Sequence, residues 1–356
     1  MFLCNHCRER LSYRIVQPSI DTGICDLCGN LMEHIDDYFE MFKEESKRYE
    51  FSTFLIGVRT PKESLEKDRE IIEGAGTKIR SYKEEFQFLL GSKIERELHY
   101  TVDFGKPELV FMVNQENMDY SIKIKSVYIK GRYLKRRRGI PQSPWIKPGR
   151  GKEMEKSVSE YIGQQVCNAF EGKNYNFFAS GREDVDALML GTGRPFYVQV
   201  ETPTKRNIDL TNLSEMVLTE SKEGVEIIDL SMAKQSEIDG MKDLRPDKTY
   251  EVGLTIEEGN TSNLEEVLKK YSDFKIDQRT PSRVLKIRKD KTRERRIRSI
   301  EIGRFTGKQL ILIITAEAGT YIKEFITGDN GRTVPSLKDE LNINVKIDYL
   351  NVLEVK

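Results

Sequence analysis

The arrangement of apolar and polar positions along the chain predicts strands more often than helices. Leu109–Val113 and Leu310–Ala316 are short apolar runs of strand length, and Phe51–Val58 reads the same way. Tyr120–Ile129, Tyr197–Val200 and Val345–Val355 alternate like strands with one face in a core, and Asp247–Val252 opens a stretch rich in β-forming residues. Helical spacing is clearest in the amphipathic Val158–Phe170 and the acidic Ile35–Arg48; Lys62–Glu73 and Lys78–Gly91 read as helices with charged faces. Helices among strands between Tyr38 and Lys130 describe a small α/β or α+β module. No internal repeat at a solenoid period accompanies this pattern.

At 356 residues the chain exceeds one ordinary core, so two or three domains are expected, and 38% apolar with 33% charged residues marks it as globular. The longest apolar run, near Leu310–Ile314, falls far short of the roughly 20 residues a membrane span requires. Cys4, Asn5, His6 and Cys7 interrupt the start where a secretory segment would be apolar, so a cytosolic (cytoplasmic) protein with no membrane partner is expected. In that reducing compartment Cys4-x-x-Cys7 and Cys25-x-x-Cys28, with 17 residues between the pairs, have the spacing of a structural four-thiolate zinc site; a disulfide pair is the alternative. Such a site has no open position for substrate. His6 and His34 are near enough to compete as ligands, and Cys167 reads as a small core residue.

The formal net charge is +0, yet the charges are segregated. Ser121–Gly151 holds ten Lys or Arg and no acid, and Arg279–Arg298 holds ten more against Asp290 and Glu294. Two such blocks on a neutral protein are the footprint of a polyanionic partner. In the first, Lys135–Arg138 leads through Pro141 and Pro144 to Trp145, a pattern that suits a semi-rigid loop gripping phosphates, with the ring either contacting a base or anchoring the loop. Reactive chemistry concentrates in Ser180–Phe196, where Arg182, Glu183, Asp184 and Asp186 fall within five positions and Gly181, Gly191 and Gly193 let backbone approach a ligand. A polar surface loop is the alternative. Farther on, an apolar strand meets a helix through Gly319-Thr320-Tyr321, placing backbone N–H groups and Lys323 at one corner.

Several separated motifs then coincide. Gly131-Arg132-Tyr133, Pro141-Gln142-Ser143-Pro144-Trp145, Gly181-Arg182-Glu183-Asp184-Val185-Asp186, Leu190-Gly191-x-Gly193-Arg194-Pro195-Phe196, Lys248-Thr249-Tyr250, Gln278-Arg279-Thr280-Pro281-x-Arg283-Val284-Leu285 and Gly319-Thr320-Tyr321-Ile322-Lys323-Glu324-Phe325 together resemble one family. It is the archaeal and eukaryotic tRNA pseudouridine synthase of the tenth type, which acts on uridines 54 and 55 of the T-loop. The likeness spans nearly the whole chain and is weakest over Asn207–Asp243.

The resemblance implies an α+β protein with a zinc-binding module over residues 1–45, a THUMP-like RNA-binding accessory domain over 46–130, and a catalytic domain over 131–356. The last is expected to have the pseudouridine synthase fold, a mixed, mostly antiparallel sheet with flanking helices. Asp184 takes the place of the nucleophile, with Asp186 as its rival; Tyr250 matches the tyrosine that stacks on the target base and handles a proton. Tyr321 and Lys323 look like the Gly-Thr-Tyr-Ile-Arg motif of TruB-type enzymes, with lysine replacing the arginine that pairs with the aspartate. Arg182 resembles the arginine that fills the flipped nucleotide's place, and Arg132 and Tyr133 fall in a substrate-binding motif. Implied partners and cofactors are the tRNA T-arm, structural zinc, no organic cofactor and no obligate protein. A non-catalytic tRNA-binding or RNA chaperone protein that kept the fold is the alternative.

Overall fold

The computed structural model describes residues 1–11, 23–74, 79–144, 155–286 and 288–356, without the side chains of residues 242 and 243. The chain forms two compact units: Met1–Ser126 with Phe170–Asn174 and Val200–Ile208, and Val127–Ala169 with Tyr175–Gln199 and Asp209–Lys356. Among the described residues no helix is long and apolar enough to cross a membrane.

The first unit runs α1 (Asn5–Arg10), α2 (Ile35–Ser46), β1 (Thr53–Arg59), α3 (Lys62–Gly74), α4 (Tyr82–Leu98), β2 (Thr101–Val102), β3 (Leu109–Asn114) and β4 (Asp119–Ile124). Its sheet has the order β2-β1-β3-β4, with β1 parallel to both neighbours and β4 antiparallel to β3. Phe42 of α2 packs 5.3 Å from Phe54 and 5.5 Å from Phe111, ring centre to ring centre, and the four paired cysteines join this same core. The helix expected over Lys78–Gly91 begins later and runs further, because Ser81 caps it by accepting from the Glu84 amide and Gly91 lies buried against Val102 instead of ending it. Residue 78 lies outside the described residues.

The second unit runs β5 (Val127–Lys135), α5 (Val158–Ala169), β6 (Asn174–Ala179), β7 (Leu188–Glu201), α6 (Thr211–Glu220), β8 (Val225–Met232), α7 (Gln235–Asp243), β9 (Lys248–Glu258), α8 (Leu264–Lys269), β10 (Phe274–Arg279), β11 (Thr292–Thr306), β12 (Gln309–Ala316), α9 (Ile322–Thr327), β13 (Thr333–Val334), α10 (Leu337–Leu341) and β14 (Asn344–Val355). Its sheet follows the order β13-β10-β11-β12-β9-β14-β7-β5-β8, with β6 beside β7. From β13 through β14 the pairings are antiparallel; β14 then lies parallel to β7, with Asn351 and Val352 opposite Leu188 and Met189. This is the mixed, mostly antiparallel sheet that was expected.

One expected strand is two. Tyr120–Ile129 breaks at Lys125 and Ser126 into the end of β4 and the start of β5, which belong to different sheets. Buried Ile124, Val127 and Ile129 keep the apolar signal going across the break. What interrupts pairing is tertiary: Arg206 donates from Nη2 to the Lys125 carbonyl at 2.5 Å.

Candidate active site

The loop between β6 and β7, residues 180–187, is built on a buried carboxylate. Glu183 is 5% exposed and accepts the Tyr133 hydroxyl at 2.8 and 3.0 Å, while Arg194 Nε stands 2.9 Å and Lys135 Nζ 3.9 Å from its oxygens. Gln142 donates to the Tyr133 hydroxyl at 3.0 Å and to the Gly181 carbonyl at 2.7 Å, and Arg194 donates to the Ser180 carbonyl at 2.7 Å. Lys135, fully buried, donates to the carbonyls of Ile140, Asp184 and Val185 at 2.9, 3.1 and 3.3 Å. A charge this deep is tolerated only when opposite charge and hydrogen bonds surround it, so the loop is anchored from below at almost every residue. Gly181 is required at its turn: its φ is +83°, and a Cβ there would sit 3.0 Å from Lys248 Nζ and 3.1 Å from Arg194 Nη1.

Anchoring Glu183 turns its neighbour outward. Asp184 is half-exposed, with Oδ2 at 3.5 Å from Lys323 Nζ of α9 and 3.4 Å from Arg283 Nη1 of the turn Ser282–Val284. Lys323 also holds Asp186 at 2.8 and 3.1 Å, and this lowers the Asp186 carboxyl although burial works the other way. Tyr250 on β9 is buried, which pushes its hydroxyl up to about 12, with the charge of Asp184 adding to the rise and Arg194 opposing it. Its phenol therefore stays neutral and keeps a proton to donate at physiological pH. Asp184, Lys323 and Tyr250 come together in one neighbourhood.

The remaining predicted residues divide. Tyr321 caps the start of α9, its backbone tied to Gln278 at 2.8 and 2.9 Å and its hydroxyl accepting from Arg288 at 2.9 Å. Arg182 is exposed on the loop beside Asp184. Tyr133 is fully buried beneath that loop, with no surface to offer a nucleotide. Arg132 donates to the carbonyls of Thr192, Gly193 and Val355 at 2.5, 2.9 and 2.8 Å, tying the glycine turn of β7 to the end of β14. Tyr133 supports the loop through Glu183, and Arg132 supports the turn of β7.

Lys135–Arg138 is not the free phosphate-gripping loop the charge run suggested. Besides Lys135, Arg136 pairs with Glu226 at 2.5 Å, Arg137 with Glu155, and Arg138 with the Asp186 carbonyl and, at 2.8 Å, Asn351. Trp145 lies outside the described residues. In the second block Arg279, Arg295, Arg296 and Arg298 also have acid partners, whereas Lys286, Lys289 and Lys291 are exposed. Pattern reading missed Glu183, Arg194, Lys135 and Gln142 as supports; the signal available was the presence of Glu183, Arg194 and Gln142 inside the motifs, while Lys135 was hidden in the basic run.

In the first unit the sulfurs of Cys4, Cys7, Cys25 and Cys28 lie within 4.8 Å of one another, all buried, with Cys4 and Cys28 at 3.6 Å. Tetrahedral zinc with Zn–S near 2.3 Å would hold its sulfurs about 3.8 Å apart, so the cluster fits a metal ion of that kind. His34 instead pairs with Asp37 at 2.7 Å, and His6 is exposed.

Asp184, Lys323 and the neutral phenol of Tyr250 stand together at this loop, and the comparisons with known proteins give the class: a pseudouridine synthase. Residues 128–356 match the family model described as Pus10, C-terminal, and residues 38–114 match the Pus10 THUMP domain, archaeal. The tRNA pseudouridine synthase Pus10 of Archaeoglobus fulgidus is 33% identical over 363 residues, covering 99% of each chain. Those of Methanopyrus kandleri and Pyrococcus furiosus are 32% and 33% identical, covering 93% and 99% of this chain and 80% and 94% of theirs. The chain belongs to the Pus10 family and is a tRNA pseudouridine synthase with a THUMP domain.

Two measurements test the site's construction. Glu183→Gln removes the charge around which Arg194 and Lys135 gather; it should cost roughly 3 kcal/mol in urea unfolding and lower turnover, although Glu183 faces no substrate. Lys248 is 8% exposed, and burial, then Arg194 and Arg245, lower it from 10.5 to about 8. Between those two pH values the unfolded chain binds the extra proton, so stability should climb with rising pH by about 3 kcal/mol. Lys248→Met should lack that climb when the two unfolding free energies are compared across the window.

Proposed function

We propose that this enzyme isomerises uridine 54, uridine 55 or both in the T-loop of tRNA, with Asp184 as nucleophile. The observation that carries the reading is the convergence of Lys323 and Arg283 on the half-exposed Asp184 carboxylate, above a loop pinned by buried Glu183. The reaction breaks the bond between the ribose and N1 of the base, turns the base and joins C5 to the ribose, while N1 gains a proton and C5 loses one. Nothing is oxidised, reduced or hydrolysed, so no organic cofactor has a task. The attack uses the Asp184 carboxylate, with Lys323 and Arg283 standing beside it. Tyr250 offers a ring beside the base and a phenol proton. Flipping the target uridine costs a few kcal/mol, and exposed Arg182 is suited to fill the vacated place. Exposed Lys286, Lys289 and Lys291 supply phosphate contacts to the T-arm.

The four cysteines hold zinc in a structural role, residues 1–45 forming that module, 46–130 the accessory RNA-binding part and 131–356 the catalytic part. The enzyme acts in the cytoplasm without an obligate protein partner.

Asp184→Ala should abolish pseudouridine formation on a tRNA transcript, a loss of at least about a thousandfold, while tRNA binding persists. Asp186→Ala should leave turnover within about tenfold. Undiminished product from Asp184→Ala, mapped position by position on the tRNA, rejects the nucleophile assignment. Purified protein should carry close to one zinc per chain, and a strong chelator should lower the melting temperature of the first unit; less than half an equivalent of metal counts against the site.

A further inference from the structure

We infer that Arg283, braced by buried Glu324, is a positioning residue that holds Asp184 by one oxygen and leaves the other to meet the nucleotide. The inference rests on Asp184 being the nucleophile. Both cations address the same oxygen: Arg283 Nη1 lies 3.4 Å and Lys323 Nζ 3.5 Å from Oδ2. Neither oxygen of Asp184 accepts a hydrogen bond from a described protein group, and the shortest approach of both cations is to Oδ2, which leaves Oδ1 the less engaged oxygen and the one to present to substrate.

The reach of Arg283 is fixed from the other side. Its Nε donates to Glu324 Oε1 at 2.6 Å, and Glu324 is 6% exposed with Oε2 unpartnered among the described residues. A buried carboxylate with so few donors binds its cation firmly, because releasing it would leave an unpaired charge out of water. The planar guanidinium then points Nη1 at Asp184 while Nε stays on Glu324, a geometry that an ammonium cannot copy. Ser282, next to Arg283, is itself held by Asp329 at 2.8 Å through its amide and 2.5 Å through its hydroxyl, and the guanidinium lies 6.0 Å from the ring centre of Tyr321. Successive residues of α9 thus act on one carboxylate by two routes: Lys323 directly, Glu324 through Arg283.

The test is steady-state kinetics on a tRNA transcript, with kcat and KM resolved separately. Arg283→Ala should lower kcat about a hundredfold with KM little changed. Glu324→Gln, isosteric and less disruptive, should lower kcat in the same direction, and the double variant should be no slower than Arg283→Ala. Arg283→Lys should not restore kcat, because one ammonium cannot meet both carboxylates in the same way. A raised KM with kcat unmoved would mean that Arg283 grips RNA, and the inference falls. Asp184→Ala run alongside separates the two readings: if it stays active, the nucleophile assignment fails and takes this inference with it. If it is inactive while Arg283→Ala and Glu324→Gln keep kcat, only the role given to Arg283 fails.

Discussion

The site depends on one buried negative charge. Glu183 sits where a lone carboxylate would be untenable, and Arg194, Tyr133 and Lys135 make it tenable by converging on it. With Glu183 held inward, Asp184 beside it is left half-exposed at the surface of the loop. The same groups secure the loop's backbone: Lys135 takes the Asp184 and Val185 carbonyls, Arg194 that of Ser180, and Gln142 that of Gly181. A buried polar network of this kind is rigid, and it holds the loop and the Asp184 it carries in place.

Electrostatics divides labour between two layers. Below the loop, burial dominates: it raises Tyr133 and Tyr250 and lowers Lys135 and Lys248. Above it, exposed groups pair loosely, with Lys323 shared between Asp184 and Asp186. Pairing at the water boundary is worth little to stability.

Local pattern carried much of the fold. The runs that became β3 and β12, and the amphipathic stretch that became α5, stand close to where periodicity puts them, because each buries one face along its own length; β14 also lies where expected, though Leu350, Asn351 and Val352 are buried in succession. The cysteine pairs were legible for a related reason: two ligands from one tight turn need a fixed short spacing. What periodicity missed is set by distant partners. Arg138 looks like a free cation until Leu350 and Asn351 come beside it, and Glu183 reads as a surface acid until Tyr133 and Arg194 enclose it. The break between β4 and β5 is passed over although the alternation slips by one residue at Lys125-Ser126, where Arg206 claims the Lys125 carbonyl from far along the chain.

The parallel pairing of β14 with β7 has a consequence for biosynthesis. Leu188 and Met189, directly after the loop, pair with Asn351 and Val352, and the turn at Gly193 is fastened through Arg132 to Val355. The groups that anchor the loop itself, Tyr133, Lys135, Gln142 and Arg194, stand nearer in sequence, so a ribosome has made them well before β14. The sheet that carries the loop closes only when β14 joins β7, a contact of very high sequence separation, the kind that forms slowly.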